Sequence, residues 1–298
     1  MTEDDDLRAR AIALYDRFTH GSQDRRAFMA DMTRLAGSAA AAQMLVGAIA
    51  ADPAAAAIVA EDDKRLTARM VNWKGAEGRQ LFGYMAIPKK HAKKPAAVLV
   101  VHENRGLQPY TKDVARRLAV AGFVGLAVDF LAPEGGTPQD EDKARAMIGA
   151  LDLAKATADG VATIDWLAAH PLLNGKVGVV GFCWGGAMAN RLAVAAGPAL
   201  SAACAYYGPP PPPSEAAKVK AALLLHYAGT DDRVNAGAAP WVSALQAAGA
   251  SVQRYDYPGT QHAFHNDTSA ARFDAAAAQL SWDRTIAFFQ ERLQSVRR

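Results

Sequence analysis

Through most of the chain, short apolar runs alternate with stretches in which apolar residues recur every three or four positions. The runs are AAVLVVH, FVGLAVD, KVGVVGF, SAACAYYG, AALLLHYAG and SVQRYDYPG. Their length and β-branched content predict strands, and the periodic stretches predict helices near 109–121, 140–169, 185–197, 237–248 and 270–295. Ahead of them, LTARMVNW and QLFGYMAI flank KGAEGR and predict a hairpin. Strands separated by helices predict a mostly parallel sheet covered on both faces. Ligands of such sheets sit beyond the carboxyl ends of the strands, so the chemistry should follow the apolar runs.

The pattern before residue 63 is different. LRARAIALYDRF places Leu7, Ile12, Tyr15 and Phe18 near one helical face, and Gly21 ends that helix. A second helix is expected after Ser22, carrying Phe28, Met32 and Leu35, followed by the alanine-rich LAGSAAAAQMLVGAIAADPAAAA. The pair Arg25–Arg26, then Phe28 and a weakly apolar stretch, resembles a twin-arginine export signal. The pair lies deep in the chain, behind an acidic, helix-like start. That favours a helical extension at 1–62 packed on a catalytic domain at 63–298, and a cytoplasmic location over a periplasmic one. The proline run Pro209–Pro213 in GPPPPPSE predicts a stiff extended segment, either at a site rim or as a surface spacer.

Composition narrows the function classes. About half of the 298 residues are apolar (51%), enough for a sizeable core. A net charge of +3, with no basic face carrying interleaved aromatics, gives no support for nucleic-acid binding. Two cysteines, Cys183 and Cys204, are too few for a disulfide framework or a zinc cluster. HENRG begins like a zinc motif, but Gly106 stands where the second histidine would be. No metal or cofactor is expected. No uninterrupted apolar run reaches about 18 residues, so stable membrane insertion is not expected. Oligomeric state is not indicated.

The candidate chemistry centres on VGVVGFCWGG. GFCWGG has the G-x-nucleophile-x-G form of a nucleophile elbow, with Cys183 as nucleophile. A sharp strand-to-helix turn leaves little room two residues away on either side, which suits Gly181 and Gly185. The following helix points its positive end at the sulfur and favours thiolate. TDDRVNAG follows one later strand and TQHAFHND the next, so an acid and a histidine fall on the same sheet edge. The histidine can take the thiol proton while the carboxylate fixes its tautomer. Asp231 is favoured over Asp232 as the acid, with Asp232 expected to cap the helix that follows. His262 is favoured over His265, which is expected at the surface. His20, His91, His170 and His226 are expected to be structural.

GFCWGG, GTDDRV and PGTQHAF, in that order, resemble the dienelactone hydrolase family of α/β-hydrolases over about residues 65–295. The resemblance implies an α/β-hydrolase fold with helices on both faces of the sheet. It implies that Glu103, in VVHENRGL, interacts with the thiol in the resting site until substrate displaces it. A neutral resting thiol would resist oxidation. It also implies an oxyanion hole from the backbone N–H groups of Asn104 and Trp184. Two carboxylate-binding arginines of the family are missing: LAPEGG follows the second central strand, and Asn266 stands four residues after His262. Arg105 and Arg272 are the candidates to replace them in space. The expected activity is hydrolysis of a small-molecule ester or lactone through a Cys–His–Asp triad and a thioester acyl-enzyme. The alternatives are a hydrolase of other electrophiles, such as phosphotriesters or peptides, and a non-catalytic binding protein.

Overall fold

A computed structural model describes residues 3–21, 23–50, 57–91 and 93–294. Three helices come first: α1 (Glu3–His20), α2 (Arg25–Ala36) and α3 (Ala39–Ile49). The α/β part then runs β1 (Leu66–Lys74), β2 (Gln80–Pro88), β3 (Ala97–Val101), α4 (Pro109–Val120), β4 (Val124–Val128), α5 (Glu141–Ala150) and α6 (Leu153–Ala168). It continues β5 (Val177–Phe182), α7 (Trp184–Ala195), β6 (Ala202–Tyr206), β7 (Ala222–Ala228), α8 (Asp232–Asn235), α9 (Ala238–Ala247), β8 (Val252–Tyr257) and α10 (Ala275–Phe289).

The eight strands form one sheet in the order β1-β2-β4-β3-β5-β6-β7-β8. β1 and β2 are the expected hairpin, β2 joins β4 antiparallel, and β3 to β8 are parallel. Strands β3 to β7 are buried along their whole length, because helices cover both faces. Alternate residues feed two cores. Leu99, Val101, Val179 and Leu225 face one side, with Met188 and Trp241. Val98, Val100, Val180 and Leu224 face the other, with Val114, Leu118 and Phe289.

Local chemistry moved several predicted boundaries. The single helix expected over 140–169 is two helices. Leu151 is extended, and the Asp152 side chain accepts the N–H groups of Ala154 and Lys155, starting α6 afresh. The helix expected from 270 begins at Ala275, because the N–H groups of Arg272 and Phe273 turn back to the Ser269 carbonyl. It is capped by Asp274, and residue 295, its expected end, lies outside the described residues. The proline run leads into a turn, Pro213–Lys218, that packs against α9.

The N-terminal helices have a small core of their own, built on Ile12, Tyr15, Phe18, Phe28, Met32 and Ile49. Phe18 and Phe28 stack at 4.3 Å, with Tyr15 edge-on to both. Asp24 caps α2, Ser22 lies outside the described residues, and the alanine-rich stretch is α3, capped by Ser38. None of the described helices is long and apolar enough to cross a membrane.

Candidate active site

β5 and α7 meet at Cys183, which has φ +56°, a backbone conformation costly for a residue with a side chain. The turn is tight enough to dictate its neighbours. A Cβ on Gly181 would lie 1.9 Å from the Gly185 carbonyl oxygen, and one on Gly185 would lie 2.3 Å from that of Val101. The Cys183 N–H bonds to the Tyr206 carbonyl at 3.0 Å, and its carbonyl accepts the Ala187 N–H at 3.1 Å. Cys183 is thereby the N-cap residue of α7, at the positive end of the helix. It is only 4% exposed.

The loops after β7 and β8 are sewn together above the sheet edge. Thr230 N–H and hydroxyl both donate to the Thr260 carbonyl, at 3.1 and 2.8 Å. This brings Asp231 to His262, with Asp231 Oδ2 2.5 Å from His262 Nδ1. The other carboxylate oxygen accepts the Val234 N–H at 3.4 Å. Asp231 therefore both caps α8 and holds the histidine. Asp232, expected to be the cap, is exposed in the first turn. His262 is 3% exposed and interacts with Cys183. Burial pushes the imidazole pKa down. The interaction with Cys183, together with the hydrogen bond to Asp231, overcomes that and raises it to about 10. Burial would raise the Asp231 carboxyl, but its bond to His262 brings it below the ordinary value.

His265, expected at the surface, is buried. Its Nδ1 lies 2.6 Å from the Tyr110 hydroxyl, and its ring stacks on Phe182 at 5.2 Å. Its position three residues after His262, at the start of a turn, directs it beneath the site rather than outward. Burial, then the charge of Arg117, pushes its pKa well down. His226 is likewise buried between Tyr257 (2.8 Å) and Thr285 (3.1 Å), with its pKa pushed down to about 3 by burial.

Glu103 lies in the cavity that holds Cys183 and His262. Its Oε2 accepts from Asn266 Nδ2 at 2.8 Å, and its Oε1 is buried without a hydrogen-bond partner among the described residues. Asn266, which stands where the resemblance led one to look for an arginine, thus holds the glutamate. The Asn104 N–H has no backbone acceptor among the described residues, and the Trp184 N–H is the first of α7. His102 ties these two elements together. Its Nδ1–H donates to the Glu103 carbonyl at 2.7 Å while Nε2 accepts the Phe130 N–H at 3.2 Å. Its ring stacks on Trp184 at 5.4 Å. Burial lowers its pKa, so one neutral tautomer serves both bonds. Read from sequence, His102 was only the start of an incomplete zinc motif.

Arg105 and Arg272 do line this small cavity. Each already faces a carboxylate: Arg105 with Glu141 at 3.2 Å, and Arg272 with Asp16 at 3.4 Å. Tyr15 and Thr19 of α1 complete the walls, a contribution that sequence reasoning missed. No spacing rule links residue 15 to residue 183.

The strand order and the strained cysteine turn, with acid and histidine following it along the chain, make this an α/β-hydrolase. Residues 81–293 match the dienelactone hydrolase family, and the chain belongs to that family. It is 30% identical over 230 residues to a Bradyrhizobium protein named "Probable 2-oxo-3-(5-oxofuran-2-ylidene)propanoate lactonase", covering 72% of this chain and 91% of that one. A dienelactone hydrolase-like promiscuous phosphotriesterase from metagenomic libraries shares 25% identity at a TM-score of 0.67, over 76% of this chain and 99% of its own. The dienelactone hydrolase of Anabaena variabilis shares the fold, with a TM-score of 0.62 at 24% identity, over 77% of this chain and 99% of that one.

Proposed function

We propose that this protein hydrolyses small carboxylic esters or lactones by way of a thioester on Cys183. The observation that carries the reading is the Cys183–His262–Asp231 constellation on one sheet edge. The imidazole of His262, its pKa raised to about 10 beside Cys183 and Asp231, is suited to take the thiol proton when substrate arrives and to hold it while the sulfur attacks. The sulfur adds to the carbonyl carbon. The carbonyl oxygen takes the negative charge and is met by the N–H groups of Asn104 and Trp184, each worth a few kcal/mol in the barrier. Collapse expels the alcohol, which takes the His262 proton, and leaves the acyl group on sulfur. His262, now neutral, draws a proton from water. The resulting hydroxide attacks the thioester and regenerates the thiolate–imidazolium pair, with Asp231 orienting the ring throughout.

Glu103 acts as the gate for the thiol. Asn266 holds one of its oxygens, and the other has no hydrogen-bond partner among the described residues. A substrate carboxylate would compete with Tyr15, Glu141 and Asp16 for Arg105 and Arg272. This supports esters and lactones without a carboxylate over dienelactone itself. The similarity to a promiscuous phosphotriesterase supports a second reading, in which the same sulfur also attacks phosphorus.

The test is mass spectrometry of the protein trapped with chromogenic esters, lactones and phosphotriesters. An acyl adduct on Cys183, with activity abolished in Cys183→Ala, is the expected result. Wild-type ester turnover by Cys183→Ala would overturn the mechanism. We also infer that the helical extension stays with the mature enzyme in the cytoplasm. Arg25 of the twin-arginine-like pair is engaged in an ion pair with Asp142 of α5.

A further inference from the structure

We propose that the N-terminal helical unit is a working wall of the active site, in which Tyr15 and Thr19 of α1 close the cavity over Cys183 and set the size of the acyl group it accepts. The proposal rests on the ester-hydrolase reading and adds a specificity role for residues far outside the catalytic motifs.

Four observations support it. First, Tyr15 and Thr19 share one small cavity with Cys183, His262 and Glu103. That cavity is much smaller than an ordinary ligand pocket, so a wall residue there decides what fits.

Second, the carboxyl end of α1 is docked by catalytic-domain donors. The last carbonyls of a helix lack intrahelical partners. Here Asn104 Nδ2 donates to the Thr19 carbonyl at 2.9 Å, and Arg145 Nη1 to the Phe18 carbonyl at 2.8 Å. Asn104 is also the candidate oxyanion residue, so the helix end is fixed to the loop that must hold the oxyanion.

Third, the Tyr15 ring is clamped. The Arg105 guanidinium donates to its hydroxyl and lies 5.6 Å from the ring centroid, with Arg272 at 5.2 Å. A ring held by two cations is a rigid wall, because little conformational freedom is left to it.

Fourth, the unit has its own apolar core and meets the catalytic part largely through polar links. These include Ser269 Oγ to the Ile49 carbonyl (2.7 Å), the Ala271 N–H to the Ala48 carbonyl (3.1 Å) and Arg8 to the Ala271 carbonyl (2.6 Å). Such an interface can be remodelled without opening the main core.

The proposal is tested in the full-length enzyme with p-nitrophenyl esters from acetate to octanoate, reading kcat/KM and KM for each. Wild type should prefer the shortest acyl groups. Tyr15→Ala should raise the octanoate-to-acetate ratio of kcat/KM at least tenfold, since a single methylene gaining or losing its place in a pocket changes kcat/KM about tenfold or more. Tyr15→Phe, which keeps the ring, should keep the wild-type ratio. Thr19→Leu should do the reverse of Tyr15→Ala, lowering the butyrate-to-acetate ratio, and it decides the matter if Tyr15→Ala does not fold. Unchanged ratios in the folded variants would overturn the proposal. Failure of the underlying reading looks different: no Cys183 adduct in wild type, or full ester turnover by Cys183→Ala.

Discussion

At the scale of single residues, His262 is where the competing energies meet. Its burial favours the neutral ring, and Cys183 and Asp231 together favour the charged one. The folded pKa, about 10, lies above the ordinary 6.5, so the protonated ring stabilises the native state. That contribution is fully present below pH 6.5 and is lost as the pH rises through about 10. Thermal unfolding of wild type and His262→Gln should therefore differ most at pH 6 and least above pH 10. Asp231→Asn leaves the ring without its anionic partner and frees the wrong tautomer. We expect kcat/KM for p-nitrophenyl acetate to fall by roughly a hundredfold or more, with little change in KM. At Asn266 the expected effect passes through Glu103. Asn266→Leu removes the 2.8 Å bond to Oε2, and the rate of thiol alkylation by iodoacetamide should change while the fold persists.

At the scale of elements, the β5–α7 turn is built from backbone crowding rather than from side-chain contacts. The position of Gly185 is packed against the Val101 and His102 carbonyls, so a methyl group must displace main chain. Gly185→Ala should cost about 3 kcal/mol in urea denaturation and misplace Cys183. The β3–α4 loop is its counterpart. His102 fixes the Glu103 carbonyl on one side and the Trp184 ring on the other, so both candidate oxyanion donors are held by one imidazole. These two segments come from different strands, and their juxtaposition depends on β3 pairing directly with β5.

At the scale of the whole molecule, a second unit is added to a complete α/β-hydrolase. The catalytic part has two cores, one on each face of its sheet, and the three N-terminal helices have a third. The hydrogen bonds and ion pairs that join them include those from Arg8, Asn104, Arg105, Arg145 and Arg272, of which Asn104, Arg105 and Arg272 line the site. Removal of residues 1–62 as an export signal would strip away Tyr15, Asp16 and Thr19. Intact-mass measurement on protein isolated from its native host is therefore expected to return a chain that still carries them. A mass lacking them would mean that the cavity works without its wall.

The strands, their parallel arrangement and the glycine-flanked cysteine were legible in sequence, because each depends on local rules: period, β-branching, and the room a turn leaves for side chains. Chain order alone singled out the acid and the histidine, since each follows a strand that must end at the same edge. Two aspartates stand next to each other in sequence, however, and two histidines only three residues apart. Only the folded loops, tied at Thr230 and Thr260, show that Asp231 and His262 meet while His265 turns under the site. The roles of His102 and Asn266 and of the wall residues Tyr15 and Thr19 were hidden for the same reason. Their partners are distant along the chain, and periodicity carries no information about which distant surfaces come within 3 Å. Local sequence determined the elements and the glycine-flanked cysteine turn. Tertiary packing decided what surrounds that cysteine, because burial, charge pairing and cavity shape are properties of the assembled fold.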